Sequence, residues 1–271
     1  MLVRSWNLFH GNTKPPQRRA FLGEMLRLGT ADHPDVLCVQ EVPAWALGKL
    51  GGWVGMREVH VLAARPVLGP VPIPAALGRA LTAPNHGLFR SAFAGQGNAI
   101  LLRPSLMVLE EDVLVLNPRR FRDVQARWLG LDWVARLAWA KERRMCHAVR
   151  IAVPAGPTIV VANMHCTSYP PDQRLPDAEL LRAASFADAF AEPEEILVLA
   201  GDLNTSYLRS RTLHDLCGPE WGFSPAGPAI DHVLVRGAAT APIHRWPDAR
   251  REHGGRLLSD HSPVEVEVDV A

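Results

Sequence analysis

The chain has 271 residues, 48% hydrophobic and 21% charged, a balance that excludes a disordered or fibrous protein and provides for one large core. Its formal net charge is +1, so no global field draws it to nucleic acid or to an anionic surface, and contact with a polyanion would have to be local. No apolar run approaches the roughly 20 residues needed to cross a bilayer, and Met1 leads straight into a strand-like segment with no leader expected.

Residues 2–9 read as a first strand that ends in Asn7, with His10-Gly11-Asn12 as a turn. Pro15 and Pro16 can open a helix over 18–28, where Phe21, Leu22, Met25 and Leu26 have helical spacing and Gly29 stops it. Residues 35–41 are a buried strand that delivers Gln40 and Glu41 to its end. Between 45 and 94, Pro66, Pro70, Pro72, Pro74 and Pro84 interrupt the pattern, and an irregular insertion acting as a functional loop or lid is expected. Strands follow at 97–102 and 113–117. The stretch 119–141 sets Arg119, Arg120, Arg122, Arg127 and Arg136 among Phe121, Trp128, Trp133 and Trp139. Strands at 146–153 and 158–165 share the turn 154–157, and helical spacing over 177–190 leads into a buried strand at 196–200.

Gly201 breaks that strand, and Asp202 and Asn204 follow with one residue between them. On an extended chain both face one way, as ligands of a water, a metal or a phosphate. The same residues also suit an Asx turn leading into a helix over 206–216, with Asn204 or Thr205 as its cap. Residues 229–235 are strand-like. After Ser259-Asp-His-Ser-Pro263, valines at 264, 266, 268 and 270 alternate with acids, the pattern of a half-exposed edge strand. Many strands with a few helices between them point to two packed sheets with outer helices, in one domain over 1–271. Cys38, Cys146, Cys166 and Cys217 have apolar or strand-like settings and no C-x-x-C spacing, which reads as four reduced, mostly buried thiols in a cytoplasmic protein.

The polar residues Asn7, Glu41, His165, Asp202, Asn204, Asp231, Asp260 and His261 each follow or end an apolar run, where a layered core presents side chains at one rim. Singly, each is as well read as a cap, a turn or a satisfied buried polar group; their recurrence favours a site. Glu41, Asp202 and Asp260 are hard oxygen donors, and with the Asn amides they suit Mg²⁺ or Mn²⁺ better than zinc. Adjacent residues at a strand end point to opposite sides, so Asp260 would hold a metal while His261 reaches a substrate. No G-x-S-x-G elbow is present, and neither Cys38 nor Cys217 falls at the rim, which disfavours a Ser or Cys nucleophile.

These residues lie in a series of short motifs: Ser5-Trp-Asn-Leu8, Val39-Gln-Glu-Val42, Gly97-Asn-Ala-Ile100, Asn163-Met-His165, Gly201-Asp-Leu-Asn204, Ile230-Asp-His-Val-Leu234 and Ser259-Asp-His-Ser-Pro263. In content and order the series resembles the endonuclease/exonuclease/phosphatase superfamily, whose fold is shared by deoxyribonuclease I, the exonuclease III type of abasic-site endonucleases, neutral sphingomyelinases and inositol polyphosphate 5-phosphatases. The resemblance spans residues 5 to 263. It implies an α/β (α+β) fold in which two packed, mainly antiparallel β-sheets are flanked by helices, a four-layer α/β/β/α sandwich of the deoxyribonuclease I type.

The resemblance also implies roles. Glu41 would be the principal Mg²⁺ ligand, with Asn7 and Asp260 supporting it and Mn²⁺ as an alternative ion. Asp202 would orient or deprotonate the attacking water, helped by Asn204. His261, held in its tautomer by Asp231, would donate to the phosphoryl oxygens, and His165 would contact the phosphate from the other side. Glu142, Arg144 and Asn98 are further candidates for the phosphate or substrate, with Glu142 orienting His165. Residues 142–147 follow the family strand only in part, and Phe9 stands where some abasic-site endonucleases carry an acid, which argues against that branch. His10 is unassigned, and His232, alternating with Asp231, is expected to face away.

Such motifs serve DNA, RNA, lipid headgroups and small phosphoesters alike. The Arg- and Trp-rich stretch 119–150 could track a phosphate backbone, but an amphipathic helix with core tryptophans and solvated arginines is the favoured reading. The 45–94 insertion is apolar rather than basic, which fits a small or partly apolar phosphoester at least as well as duplex DNA. The expectation is a monomeric, metal-dependent phosphoesterase, with nuclease-type phosphodiester hydrolysis ahead of a small-molecule or lipid-headgroup substrate. A non-catalytic binding module that keeps the fold is the alternative of another class.

Overall fold

Runs of valine, isoleucine and leucine make the central strands, and the chain order is strand, helix, strand at both its start and its middle. The computed structural model describes residues 1–270, without the side chains of 90–92. Its main elements are β1 (Leu2–Asn7), α1 (Leu22–Thr30), β2 (Val36–Val42), α2 (Leu50–Val54), β3 (Arg57–Ala64), α3 (Ala75–Thr82), α4 (His86–Phe93), β4 (Gln96–Leu102), β5 (Met107–Val115), α5 (Arg119–Trp128) and α6 (Trp133–Ala140). There follow β6 (Met145–Ala152), β7 (Thr158–His165), α7 (Arg174–Phe190), β8 (Ile196–Asp202), α8 (Arg211–Leu216), β9 (Asp231–Arg236) and β10 (Val264–Glu267).

One sheet has the order His244–Arg245, β10, β1, β2, β4, β3, and the other β9, β8, β7, β6, β5. Each contains one parallel pair, β1 with β2 across α1 and β7 with β8 across α7. The remaining ladders of these two sheets are antiparallel. Val3, Cys38, Ile100, Val149, Val161, Val198 and Val266 meet between the sheets. Trp6, Leu26, Leu37 and Leu101 lie under α1, and Val160, Leu180, Ala184, Leu199 and Leu213 lie under α7 and α8. The result is the expected four-layer sandwich, in which apolar residues on both faces of the central strands are buried.

Polar cross-links tie the sheets together beneath the rim. Gln40 donates from Nε2 to Asn163 Oδ1 at 2.8 Å, and Asn163 donates to the carbonyls of Ala99 and Val39 at 2.9 and 3.1 Å. At Gly201, φ is +146° and a Cβ would stand 1.9 Å from the Met164 carbonyl oxygen on β7, so β8 can approach its neighbour here only as glycine.

Several local expectations change. Residues 57–64 are no irregular insertion but β3, the edge strand of the first sheet; only the stretch after Ala64 departs from the layers, and it folds as a two-stranded hairpin with α3 and α4. The first helix starts at Leu22 rather than at 18, because Pro15 to Arg19 run against 85–87, where Arg18 and Gln17 carbonyls accept from His86 and Gly87. The helix expected over 206–216 is only α8, capped by Ser210 Oγ at 2.9 Å from Leu213 N. The closing strand is not an edge: β10 lies between β1 and His244–Arg245, and the Glu265 side chain pairs with the buried Arg4 instead of facing water. The stretch 119–141 makes two helices, and of its tryptophans only Trp139 is in the core, whereas Trp128 and Trp133 are exposed. Among the described residues no helix is long and apolar enough to cross a membrane.

Candidate active site

The strand pattern sends Asn7, His165, Asp202 and Asp231 to the inner faces of β1, β7, β8 and β9, where these strands reach a common rim. Asn7 Nδ2 donates to Asp202 Oδ2 at 2.9 Å and to Glu41 Oε1 at 3.3 Å, while its Oδ1 accepts from Phe9 N. The amide therefore orients two carboxylates as it stands. Glu41 arrives by an irregularity. Strict alternation would group it with Leu37 and Val39 against α1, but the ladder to β4 shifts register between Val39 and Val42 and Glu41 takes a φ of +51°. This bulge turns its carboxylate into the mouth, 3.4 Å from His10 Nε2.

Asp202 and Asn204 form the Asx turn of the alternative reading, but not as the cap of a helix. Asn204 N donates to Asp202 Oδ1 at 3.0 Å, an Asx turn, and Asn204 adopts a φ of +50° with Nδ2 on the Cys166 carbonyl at 2.9 Å. The other Asp202 oxygen faces the site. Residues 259–261 are a bend, not a strand end: Ser259 has a φ of +64°, donates to the Asn7 carbonyl at 2.6 Å and accepts from His261 N at 3.0 Å. Trp6 Nε1 fixes the His261 carbonyl at 3.0 Å. Asp260 and His261 consequently face the same space rather than opposite sides, with 3.9 Å between Asp260 Oδ1 and His261 Nε2. His261 Nδ1 is 2.9 Å from Asp231 Oδ2, and its Nε2 is 3.7 Å from Asp202 Oδ2.

On the other side, His165 Nε2 lies 3.4 Å from Asp202 Oδ2 and 3.9 Å from Glu41 Oε1. Arg144 Nη1 is 3.0 Å from both of its ring nitrogens, a contact across the imidazole rather than one linear hydrogen bond. Glu142 holds Arg144 at 2.9 Å and accepts from Gln96 at 3.1 Å, so it orients Arg144 and not His165 directly. Asn98 is buried, with its amide 3.4 Å from the Met145 carbonyl, and lies beneath the mouth rather than in it.

Burial pushes the Asp202 carboxyl up to about 7, against the pull of His261. Burial works against charge on His261, but Asp202, Asp231 and Asp260 outweigh it and raise the imidazole to about 10. Burial, then Arg144, holds His165 well below the usual imidazole range. Burial also raises Glu41, against the attraction of Arg144. The mouth thus pairs a cationic imidazole with a neutral one across a carboxylate of raised basicity, which suits proton transfer from a water and donation to an oxyanion.

The family of the motifs implies a divalent cation, and the donors fit one. Glu41, Asp202 and Asp260 offer hard oxygens around the same space, with Asp260 exposed and Glu41 mostly buried. Asp202, Asp231 and His261 also bring three ligand atoms within 4.8 Å, and the 2.9 Å contact of His261 Nδ1 with Asp231 Oδ2 suits a hydrogen-bonded relay as well.

The family model for the Endonuclease/Exonuclease/phosphatase family matches residues 5–261, a span that contains every residue of this mouth. The chain belongs to that family. Among solved structures, a functionally unknown conserved protein from Enterococcus faecalis V583 is similar at 15% identity and a TM-score of 0.67, covering 100% of both chains. TDP2 of D. rerio complexed with single strand DNA product is 14% identical with a TM-score of 0.65, covering 100% of this chain and 99% of that one. A mannosyl-6-phosphatase from Bacteroides thetaiotaomicron is 15% identical with a TM-score of 0.63, covering 99% of each. No curated protein matches in sequence. At these identities the likeness establishes the fold.

This family member carries a second feature that sequence reading missed. Beyond Glu41 and His10, a cleft of about 280 Å³ is lined by Arg18, Arg19, Trp45, Arg79 and His86. His86 Nε2 is 2.8 Å from the His10 carbonyl, which joins the cleft to the mouth, and Arg79 stacks on Trp45 at 4.4 Å. Nothing in the spacing of residues 18 and 79 signals that they share a wall. His10, left unassigned by sequence, proves to face Glu41, and His232 faces away from the site as expected, buried and bonded to the Thr205 carbonyl.

Proposed function

We propose that the protein is a Mg²⁺-dependent phosphoesterase, with Mn²⁺ as an alternative ion, which hydrolyses a phosphodiester by in-line attack of water. The observation that carries this reading is the buried Asp202 carboxylate set between two histidines, 3.4 Å from His165 and 3.7 Å from His261, in surroundings that push the first imidazole down and the second up. Asp202 accepts the proton of the attacking water, with Asn204 and Asn7 fixing its two oxygens. His261 donates from Nε2 to a phosphoryl oxygen as charge builds, and Asp231 keeps the proton on Nδ1 and the ring in place. His165 contacts the phosphate from the opposite side, backed by Arg144 and, through it, Glu142. Glu41 and Asp260 would hold the cation, which neutralises charge on the phosphate when bound.

Nuclease-type cleavage is the first reading, supported by the likeness to TDP2 complexed with single strand DNA product and by the basic Arg18–Arg19–Arg79 cleft next to the mouth. A lipid-headgroup phosphoester is the second, favoured by the exposed tryptophans and aliphatics around the rim. The four unpaired cysteines support a cytoplasmic location, and a monomer acting on the phosphoester without a partner subunit is the simplest arrangement.

The test sets a generic phosphodiester, plasmid DNA and a phosphomonoester panel side by side with Mg²⁺, with Mn²⁺ and with chelator. Metal-dependent turnover is expected, lost by about 10²–10⁴-fold in Asp202→Ala and in His261→Ala. Absence of turnover on all substrates, from folded protein that binds metal, would replace the enzyme by a binding module.

A further inference from the structure

The near-zero net charge conceals a sharp segregation. By sequence, residues 8–21, 65–95 and 116–144 carry three, three and eight Lys and Arg against none, none and three Asp and Glu. All three segments lie at the end of the sheets where the mouth opens: the first follows Asn7 on β1, the second joins β3 to β4, whose Gly97 pairs with Val42, and the third joins β5 to β6, whose Met145 pairs with His165. Fourteen of the chain's 29 Lys and Arg thus fall in the segments around its rim, Arg144 among them inside the mouth.

The same segments expose large apolar side chains. On the α5–α6 hairpin, Trp128 is 82% exposed, Trp133 72% and Leu137 61%. Trp128 ends α5 and Trp133 opens α6, so both stand at the hairpin tip, and Leu137 lies one turn along on the Trp133 stripe. The opposite faces of these helices are fixed, with Ala126, Ala135 and Trp139 packed on Leu175 and the Trp139 N–H bonded to buried Glu179 at 2.5 Å. The tip is therefore presented by an anchored element. The 65–95 lobe exposes Leu68 and Val71, cross-strand partners in its two-stranded hairpin, and Leu88, 69% exposed on α4. The two lobes spring from one corner of the sandwich, where β3 and β4 at the side of one sheet meet β5 and β6 of the other, and Gln96 at the base of one bonds Glu142 at the base of the other.

Apolar groups of this size left in water mark a contact surface, and the surrounding charge selects the partner. A nucleic-acid strand takes arginines and stacked aromatics, but aliphatic tips gain nothing against phosphates. An anionic bilayer interface takes all three: indoles at headgroup depth, aliphatics below them, arginines on lipid phosphates. We propose that the catalytic rim is a membrane-docking face, in which the α5–α6 tip and the 65–95 lobe seat in the interface of a bilayer containing anionic phospholipid. The docking presents headgroup phosphoesters to the mouth, and in that respect it rests on the lipid reading of the proposed function.

The test is co-sedimentation of the full chain with phosphatidylcholine vesicles and with vesicles of equal parts phosphatidylcholine and phosphatidylglycerol, at low and high salt, read together with tryptophan emission. Wild type is expected to partition onto the anionic vesicles with a blue shift, and to lose about tenfold in partitioning at high salt or on phosphatidylcholine alone. The double variant Trp128→Ser/Trp133→Ser removes two exposed side chains that no core residue needs. It should lose about tenfold in vesicle binding and the blue shift while hydrolysing a soluble phosphodiester as wild type does. Wild type left in the supernatant with anionic vesicles overturns the proposal, as does a single-stranded oligonucleotide that competes the protein off them through the same two tryptophans, or a dimer in solution that the double variant dissolves. Docking without turnover leaves the proposal standing and sinks the phosphoesterase reading; turnover without docking does the reverse.

Discussion

At the scale of single residues, the proposed chemistry depends on where two protons sit. Asp202 accepts a proton only as a carboxylate, and burial raises it to about 7, so turnover should fall as pH drops through that value. His261 donates only as an imidazolium, raised to about 10, so turnover should fall again as pH rises through that value. A bell-shaped kcat/KM profile is the expected outcome. Asp231→Asn removes a carboxylate 2.9 Å from Nδ1 and should move the basic limb to lower pH, by about 1–3 pH units. A basic limb that does not move in this variant would remove His261 from the donor role. The residues that set these protons differ in how readable they are. Asp202 is visible as the polar end of an apolar run. The inward turn of Glu41 depends on a bulge and a left-handed backbone that no alternation rule contains.

At the scale of elements, the site is supported by pieces that touch it only indirectly. Glu179 on α7 is wholly buried, and its carboxylate accepts from Trp139 Nε1, from Thr167 N at 2.6 Å and from Thr167 Oγ1 at 2.7 Å. It ties the α5–α6 hairpin to α7 and to the loop that follows His165. Glu179→Ala would leave these donors without an acceptor, at a cost of about 3 kcal/mol in denaturant unfolding. Hydrogen exchange should quicken over 119–140 and 166–173 before it does in the sheets; uniform quickening would mean that Glu179 serves the whole core instead. The helical spacing of α7 is plain in the sequence. That its one buried acid answers a tryptophan 40 residues upstream is not, because a buried glutamate and a solvated one look alike until the partner element is in place.

At the scale of the whole molecule, two sheets must hold eight polar residues in one mouth although those residues span positions 7 to 261. The Gln40–Asn163 link joins the sheets two residues inside His165 and one before Glu41. Asn163→Leu, close to isosteric but without donors or acceptor, should lower the urea midpoint by an amount equivalent to about 2–4 kcal/mol at unchanged m, since it leaves Gln40 with Ser5 alone and takes the side-chain donor from two buried carbonyls. Turnover should fall at temperatures where the variant is still folded, because His165 and Glu41 lose a common reference. A variant of full stability would show that apolar packing between the sheets suffices without the link.

The sequence by itself determined most of the strands as apolar runs, and the ordered motifs, because apolar runs and chain breaks are local properties; these place Asn7, His165, Asp202 and Asp231 at strand ends without any knowledge of the fold. Only the tertiary structure decided what depends on neighbours remote in the chain. It turned Asp260 and His261 to the same side through the Ser259 bend and put Arg144 against His165. It buried Glu265 against Arg4, where its pattern reads as solvent-facing, and left Trp128 and Trp133 in water, where theirs reads as core. Periodicity states which residues share a face; which face is covered is a matter of the other layer.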